Sequence, residues 1–167
     1  MLGLDEVRNE LLNEIDSISD EDANRKLSED GWSIAQVIEH IHLVERAIAS
    51  QLKHGLFDES ETPFPKKPLD PLLDRTQKVR VVLSQLEPKE EFQTLDLLKE
   101  KLSKSRQQLL EAYEQLDPHE LTHKAATYPP LGLIPLAQWF EVAAAHEKRH
   151  IDQIREIKKH LFLYRAN

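Results

Sequence analysis

The chain has 167 residues, with no cysteine and only 4 glycines, and its net charge is −8 when histidine is neutral. The length predicts a single domain over residues 1–167. The absence of cysteine excludes disulfides and thiolate metal ligands, and the acidic charge argues against nucleic-acid binding. No stretch approaches the roughly 20 apolar residues of a membrane span, so we expect a cytoplasmic protein.

Two helices are predicted in the first third of the chain. Apolar residues recur at three- and four-residue steps over 4–18, and the acidic stretch 19–22 is expected to end or bend this helix. Ser33 and Gln36 fit a capping box, in which each side chain bonds to the backbone of the other residue. The second helix is therefore expected to begin near Ser33 and to stop at Gly55.

The middle of the chain combines irregular and helical patterns. A proline-rich connector at 63–71 cannot be a continuous helix. Residues 71–87 fit either a short helix or an extended crossing segment. A third helix is predicted over 92–116, because leucines repeat there every seven residues and form a seam that faces other helices. The seam consists of Leu95, Leu98, Leu102, Ser105, Leu109, Ala112 and Leu116.

The last part of the chain is predicted to be a loop followed by one long helix. Turn-forming residues are frequent over 117–134, and Pro135 suits the first position of a helix that extends to about Leu163. Four long helices and one long crossover predict an all-α fold, a four-helix bundle.

The last helix contains two histidines with the spacing of a metal-binding pair. His146 and His150 are four residues apart, so their imidazoles share one helix face. A helical wheel places both within or beside the apolar arc, with Glu147 also inward and Lys148 and Arg149 outward. Buried histidine and glutamate are costly unless they are paired or bind a metal ion, so this pattern indicates a metal site.

A third histidine would make this site credible. On the second helix, His40 and His42 both flank the apolar stripe, and periodicity alone gives His40 only a modest advantage. The other candidates lie at a helix end, in the loop or near the C-terminus, where nothing in the sequence positions them. They are His54, His119, His123 and His160.

Two segments of the chain resemble the signatures of a known family. Residues 32–41 read WSIAQVIEHI, in which a Trp-Ser pair opens a helix that carries a histidine. Residues 128–140 read YPPLGLIPLAQWF and lead into HEKRHIDQI at 146–154. In this order, these segments resemble the DinB-like superfamily, also called the DinB/YfiT-like metalloenzymes. The resemblance spans residues 4–158.

The resemblance implies a metal site formed by His40, His146 and His150, a helical bundle with a long crossover, and commonly a homodimer. Members of the family include thiol S-transferases, which join a low-molecular-weight thiol to an electrophile, a thiol-dependent isomerase, and metal-dependent hydrolases without a known substrate. The implied cofactor is a divalent metal such as Zn, Ni, Fe or Mn, because nitrogen ligands select poorly among these ions. The implied partner is a small-molecule substrate. The alternative is a non-catalytic, dimeric helical bundle that is a metal-binding or stress-related protein.

Several residues near the histidines have two interpretations each. Glu147 is either a general base or ligand-orienting acceptor, or a buried carboxylate paired with a lysine or arginine of another helix. Gln153 is a candidate for a hydrogen bond to a metal ligand, whereas Glu39 is expected to be solvated. Trp32 and Trp139 are interpreted mainly as packing residues.

The string His-Glu-x-x-His at 146–150 also occurs in zinc proteases. Their third ligand lies beyond the second histidine, and the one candidate here is Glu156 on the same helix. Because this geometry is poor, we do not expect proteolysis.

Overall fold

The computed structural model describes residues 3–76, 83–129 and 131–163, and most of these residues are helical. In this part of the chain, α3 packs against α5 and α7, and α1 packs against α7. No described helix is long and apolar enough to cross a membrane. The long helices are α1 Leu4–Ile15, α3 Ile34–His54, α5 Leu95–Glu114 and α7 Trp139–Leu163, and the short ones are α2 Asp20–Asn24, α4 Asp70–Leu73 and α6 Pro118–His123.

The first helix ends earlier than the periodicity predicts. α1 ends at Ile15, and the acidic stretch 19–22 begins α2. The Ser19 side chain accepts a hydrogen bond from the backbone N–H of Asp22, and the acidic first turn of α2 lies at the positive end of the helix dipole. Ile18 remains buried between the two helices. The apolar pattern up to Ile18 therefore marks burial rather than one continuous helix.

The predicted start of α3 is confirmed by its capping box. The Ser33 hydroxyl accepts a hydrogen bond from the backbone N–H of Gln36, and the Gln36 side chain accepts one from the backbone N–H of Ser33. α3 ends at His54, directly before the predicted stop at Gly55. This well-defined start fixes the position of His40 almost two turns into the helix.

Residues 55–94 connect α3 to α5 in the sequence, and we call this segment the crossover. α4 and a 3₁₀ turn at Ser84–Leu86 lie near the two ends of the region 71–87, whose structure the sequence leaves open. Residues 77–82 lie outside the described residues, so the choice between a helix and an extended segment there stays open.

The C-terminal end of the crossover is hydrogen-bonded to Glu39. Only 3% of Glu39 is exposed, which corrects the expectation that it is solvated. Its carboxylate accepts hydrogen bonds from the backbone N–H of Lys89, from Gln93 Nε2 and from Lys101 Nζ, at 3.0, 2.7 and 3.1 Å. Because the crossover covers this side of α3, the buried surface of the helix is wider than its apolar stripe.

The region 117–134, which the sequence predicts as a loop, contains α6 and a β-hairpin. β2 Lys124–Tyr128 pairs antiparallel with β3 Gly132–Pro135, and β1 Asp58–Glu59 from the crossover pairs antiparallel with β2. This three-stranded sheet corrects the all-α prediction, although the described part of the chain is mostly helical.

Two residues determine the turn of the hairpin and its connection to α7. Gly132 has a φ of +74°, a left-handed conformation that glycine adopts without steric cost in a tight turn. Pro135 precedes a 3₁₀ turn at Leu136–Gln138, and α7 follows this turn. The last helix therefore begins four residues later than the proline predicts.

The seam predicted on α5 lies mostly in the core. Its residues from Leu95 to Ala112 are buried, and Leu116 is half-buried. The first half of α5 contributes to an apolar cluster with α1, α3 and α7, and the second half to another cluster with the hairpin and the start of α7. The heptad spacing thus predicts the packing of α5 correctly.

Candidate metal centre

Three histidines from two helices meet in the interior of the protein. His40 of α3 lies opposite His146 and His150, which are one turn apart on α7. The Nε2 atom of His146 is 3.3 Å from that of His40 and 3.1 Å from that of His150. All three nitrogen atoms lie within 4.8 Å of one another. His40 is 5% exposed and the other two are 8% exposed, so the cluster is well shielded from solvent.

Hydrogen bonds on the far side of the ring orient two of these histidines. His40 Nδ1 donates to the carbonyl oxygen of Leu86 in the crossover, at 2.8 Å. His150 Nδ1 donates to Oε1 of Gln153 one turn further along α7, at 2.7 Å. Because both rings carry their proton on Nδ1, each presents the lone pair of Nε2 to His146.

This donor set fits a divalent metal ion. His146 Nε2 carries at most one proton, so it cannot satisfy both of the lone pairs that face it, whereas a cation binds all three nitrogen atoms. Two nitrogen ligands that lie about 2.1 Å from a zinc ion at a tetrahedral angle are about 3.4 Å apart. This value is close to the distances of His146 Nε2 from the other two nitrogen atoms, 3.3 and 3.1 Å. Three imidazole ligands also leave a coordination position for an exogenous molecule.

The electrostatics of the cluster keep its histidines neutral. Burial lowers the pKa of His40, lowers that of His146 well below its ordinary value, and lowers that of His150 to about 3. The nearby guanidinium groups of Arg149 and Arg75 lower the pKa of His150 further. Neutral imidazole is the form that binds metal ions, so the cluster is ready for a cation at neutral pH.

The sequence of this chain matches a known family over most of its length. A family model described as the DinB superfamily matches residues 3–154, which include the three clustered histidines. The chain belongs to the DinB superfamily. The uncharacterized protein YuaE of Bacillus subtilis (strain 168) is 32% identical over 154 residues, which cover 92% of this chain and 94% of that protein. The family resemblance of the two sequence segments is thereby confirmed.

The surroundings of the cluster come from the crossover and from the start of α3. The Trp32 ring lies 4.9 Å from the ring of His40, centre to centre, so this tryptophan contacts the site. Arg149 is only 8% exposed, which corrects its outward placement on the helical wheel. Its guanidinium donates to the carbonyl oxygens of Leu72 and Asp74 and so fastens the crossover to α7. The wheel fails here because it contains no information about this covering segment.

Glu147 lies between the two histidines in sequence, but its carboxylate bonds to arginines of other helices. Its Oε1 accepts from Arg8 Nε at 2.6 Å, and its Oε2 accepts from Arg106 Nη2 at 2.7 Å. Burial raises the pKa of Glu147, and the two guanidinium groups act against this shift. The structure thus shows the arginine pairing that the sequence allows as one of two interpretations.

Arg8, Glu45, Arg106 and Glu147 form a buried cluster, which we call the ion-pair tetrad. Each of the four long helices contributes one member, and the four formal charges cancel. Glu45 accepts from Arg106 Nε at 2.6 Å, from Arg8 Nη2 at 3.1 Å and from the Ser105 hydroxyl. Side-chain exposure within the tetrad is 10% or less. Because every carboxylate is paired, the tetrad avoids the large penalty of an isolated buried charge.

The tetrad was missed in the sequence, although a signal was present. Arg8 stands four residues after Leu4 and three before Leu11, where the helix period places a core residue. Glu45 and Arg106 occupy equivalent positions, three residues before Ile48 and Leu109 respectively. Charged residues at apolar positions on several helices, with opposite signs, indicate buried ion pairs.

The other histidines lie apart from the cluster. His42 is buried, and its Nδ1 bonds to the carbonyl oxygen of Lys101 at 2.9 Å. His119 and His123 stack on each other on α6, and His160 bonds to a backbone carbonyl of α7. His54 is the last residue of α3 and is exposed. Trp139 packs in the second apolar cluster, edge-on to Tyr128.

Proposed function

We propose that this protein is a divalent-metal-dependent enzyme whose metal ion is bound by His40, His146 and His150. The observation that carries the proposal is the convergence of three neutral imidazole nitrogens within 4.8 Å. The proposal includes the finer architecture of the family, a four-helix bundle with a long crossover that assembles as a homodimer. Nitrogen ligands alone do not choose among Zn, Ni, Fe and Mn.

The proposed chemistry is the activation of water or of a thiol. A divalent ion at this site would lower the pKa of a bound water or thiol and so generate a nucleophile near neutral pH. Since the chain has no cysteine, a thiol would come from a low-molecular-weight cosubstrate. The proposed activity is therefore that of a metal-dependent hydrolase or a thiol S-transferase that acts on a small molecule.

The chain's own residues have separate tasks in this proposal. The carbonyl of Leu86 and the side chain of Gln153 hold His40 and His150 in the protonation form that binds metal. Trp32 excludes water from the His40 side of the site. Glu147 is held by two arginines, so we assign it the orientation of α7 rather than proton transfer.

A second candidate function is supported by the depth of the cluster. The three histidines are only 5–8% exposed, which also suits a closed metal site in a non-catalytic, dimeric metal-binding or stress-related protein. An enzyme needs an exchangeable position on the metal, whereas a closed structural site does not. The two candidates therefore differ in whether a small anion reaches the metal.

Metal analysis with a matched control tests the site itself. We expect purified protein to bind close to one equivalent of Zn²⁺ or Ni²⁺, and the variant H40A/H146A/H150A to bind none. The variant H54A/H119A/H160A removes the same number of histidines at exposed positions and should bind like the wild type. Equal, negligible metal in all three proteins would overturn the proposal.

Cobalt substitution separates the enzyme from the closed site. In the Co²⁺-loaded protein, a small thiol or azide should change the visible spectrum if a coordination position is open. Such a change, together with consumption of a thiol and an electrophile or hydrolysis of an ester, supports the enzyme. An unchanged spectrum supports the non-catalytic protein. Light scattering of the same samples tests the homodimer.

A further inference from the structure

A small cavity lies between the histidine cluster and the ion-pair tetrad. Its volume is about 10 Å³, close to the space that one water molecule requires. His146, Glu45 and Glu147 line it together with apolar residues of α3 and α7. The apolar lining consists of Ile41, Val44, Ile48 and Ala143. A cavity of this size with three polar residues in its wall suits a water rather than a dry void.

His146 differs from the other two histidines in how its ring is held. His40 and His150 donate from Nδ1 to Leu86 and Gln153, whereas the hydrogen bonds of the His146 ring within the described residues both involve Nε2. A histidine that binds metal through Nε2 carries a proton on Nδ1, and this proton almost always has an acceptor. Because His146 lines the cavity, a molecule held there lies beside its ring and can serve as this acceptor.

We propose that this cavity holds one water molecule, which accepts a hydrogen bond from His146 Nδ1 and donates to the carboxylate of Glu45 or Glu147. The ion-pair tetrad is thereby a positioning device for the metal site. A carboxylate has about four lone-pair positions. Glu147 accepts three hydrogen bonds from Arg8 and Arg106, which leaves a position for a water, whereas Glu45 already accepts four. Glu147 is therefore the more suitable acceptor. The guanidinium groups of Arg8 and Arg106 hold both carboxylates in place.

This arrangement explains why a charged cluster lies beside a neutral one. A direct carboxylate–histidine contact would place a negative charge beside the ring, whereas a bridging water orients the ring and keeps the carboxylate within the tetrad. All three ligands then have a partner on the far side of the ring: a backbone carbonyl, an amide and a water. The inference rests on the proposed metal site for its purpose, but the water itself can be tested without metal.

The first experiment is a high-resolution crystal structure of the metal-free protein. We expect an ordered water within about 3 Å of His146 Nδ1 and of a carboxylate oxygen of Glu45 or Glu147. Nitrogen-15 NMR of the Zn²⁺-loaded protein should show His146 protonated at Nδ1. An empty cavity overturns the inference whether or not the protein binds metal.

The second experiment fills the cavity with a side chain. Ala143 lines the cavity and Ala144 does not, so Ala143→Val displaces the water while Ala144→Val is the matched control on the same helix. We expect the Kd for Zn²⁺ to rise about 10- to 100-fold in A143V and to stay near the wild-type value in A144V. Val44→Ile fills the same cavity from α3 and replaces A143V if that variant does not fold.

The outcomes separate this inference from the proposed function. Equal Zn²⁺ affinity in the cavity-filling variants and in A144V overturns the positioning role of the tetrad, even when the wild type binds metal. If the wild type binds no metal but the crystal shows the bridging water, the water is established and the proposed function fails.

Discussion

Arg8 Nε lies 2.6 Å from Glu147 Oε1 and thereby joins the first long helix to the helix that carries two of the clustered histidines. The two residues are 139 positions apart in sequence, and both side chains are almost fully buried. Arg106 bonds to the same carboxylate from α5. The rotation of α7 about its own axis, on which the direction of His146 and His150 depends, is thus fixed by charged contacts with α1 and α5.

Removal of one member of the ion-pair tetrad should destabilise the protein strongly. Arg8→Met leaves Glu147 and Glu45 with a single shared arginine, and an uncompensated buried charge costs about 3–5 kcal/mol of unfolding free energy. Urea unfolding followed by circular dichroism measures this loss. Lys104→Met removes an exposed pair with Glu100 and is the control, with an expected change below about 1 kcal/mol. Similar losses in both variants would contradict the role of the tetrad.

Replacement of Gln153 should weaken metal binding without unfolding the protein. Gln153→Leu removes the acceptor of the His150 Nδ1 proton and should raise the Kd for Zn²⁺ about 10- to 100-fold. Gln153→Glu restores an acceptor and should recover most of the affinity. Competition with a chromophoric chelator measures the Kd for Zn²⁺ of the wild type and of both Gln153 variants. Asp152→Leu changes the neighbouring, half-buried residue and should bind Zn²⁺ like the wild type.

The metal-free protein should lose stability in mild acid. Burial lowers the pKa of His40, His146 and His150 in the folded state, so below their ordinary value near 6.5 the unfolded chain binds more protons than the folded one. The free energy of unfolding therefore falls as the pH decreases from about 6.5 towards the folded pKa of His150, about 3.

Thermal unfolding at several pH values measures this effect. Each buried histidine contributes at most about 1.4 kcal/mol per pH unit within that range. The variant H40A/H146A/H150A should show a smaller dependence between pH 6.5 and 4.5 than the wild type. Identical profiles for the two proteins would show that other groups dominate the acid sensitivity.

Metal binding should be visible in the fluorescence of Trp32. The chain has two tryptophans, and the ring of Trp32 lies 4.9 Å from the ring of His40. A Cu²⁺ or Co²⁺ ion bound at the cluster should quench this fluorophore. Trp139→Phe isolates the signal of Trp32 and should show strong quenching. Trp32→Phe leaves Trp139, which packs in the other apolar cluster, and should show much less.

Local sequence patterns predict the parts of this protein that depend on one helix alone. The capping box at Ser33, the seam of α5 and the shared face of His146 and His150 follow from short-range spacing. His40 did not follow from periodicity, which ranked it only slightly above His42. The resemblance of residues 32–41 to the DinB-like family was needed to choose it.

Two of the errors have a common physical cause, a segment that covers a helix from outside. Glu39 and Arg149 lie off the apolar stripes of their helices, but the crossover folds over both and buries them. The hairpin at 124–135 was missed because its strands are short and its turn residues also fit a loop. Long-range pairs such as Arg8 and Glu147 cannot be predicted from one helix alone, because they depend on how the helices pack against one another.

Two neighbouring residues of α3 hold the same stretch of the crossover. His40 bonds to the carbonyl of Leu86, and Glu39 bonds to the backbone of Lys89 and the side chain of Gln93. An inserted residue or a protease cut between Leu86 and Gln93 would shift one attachment against the other and move the ring of His40. The number of residues between Leu86 and Gln93 therefore helps to position His40, just as the four-residue interval between His146 and His150 positions those two rings.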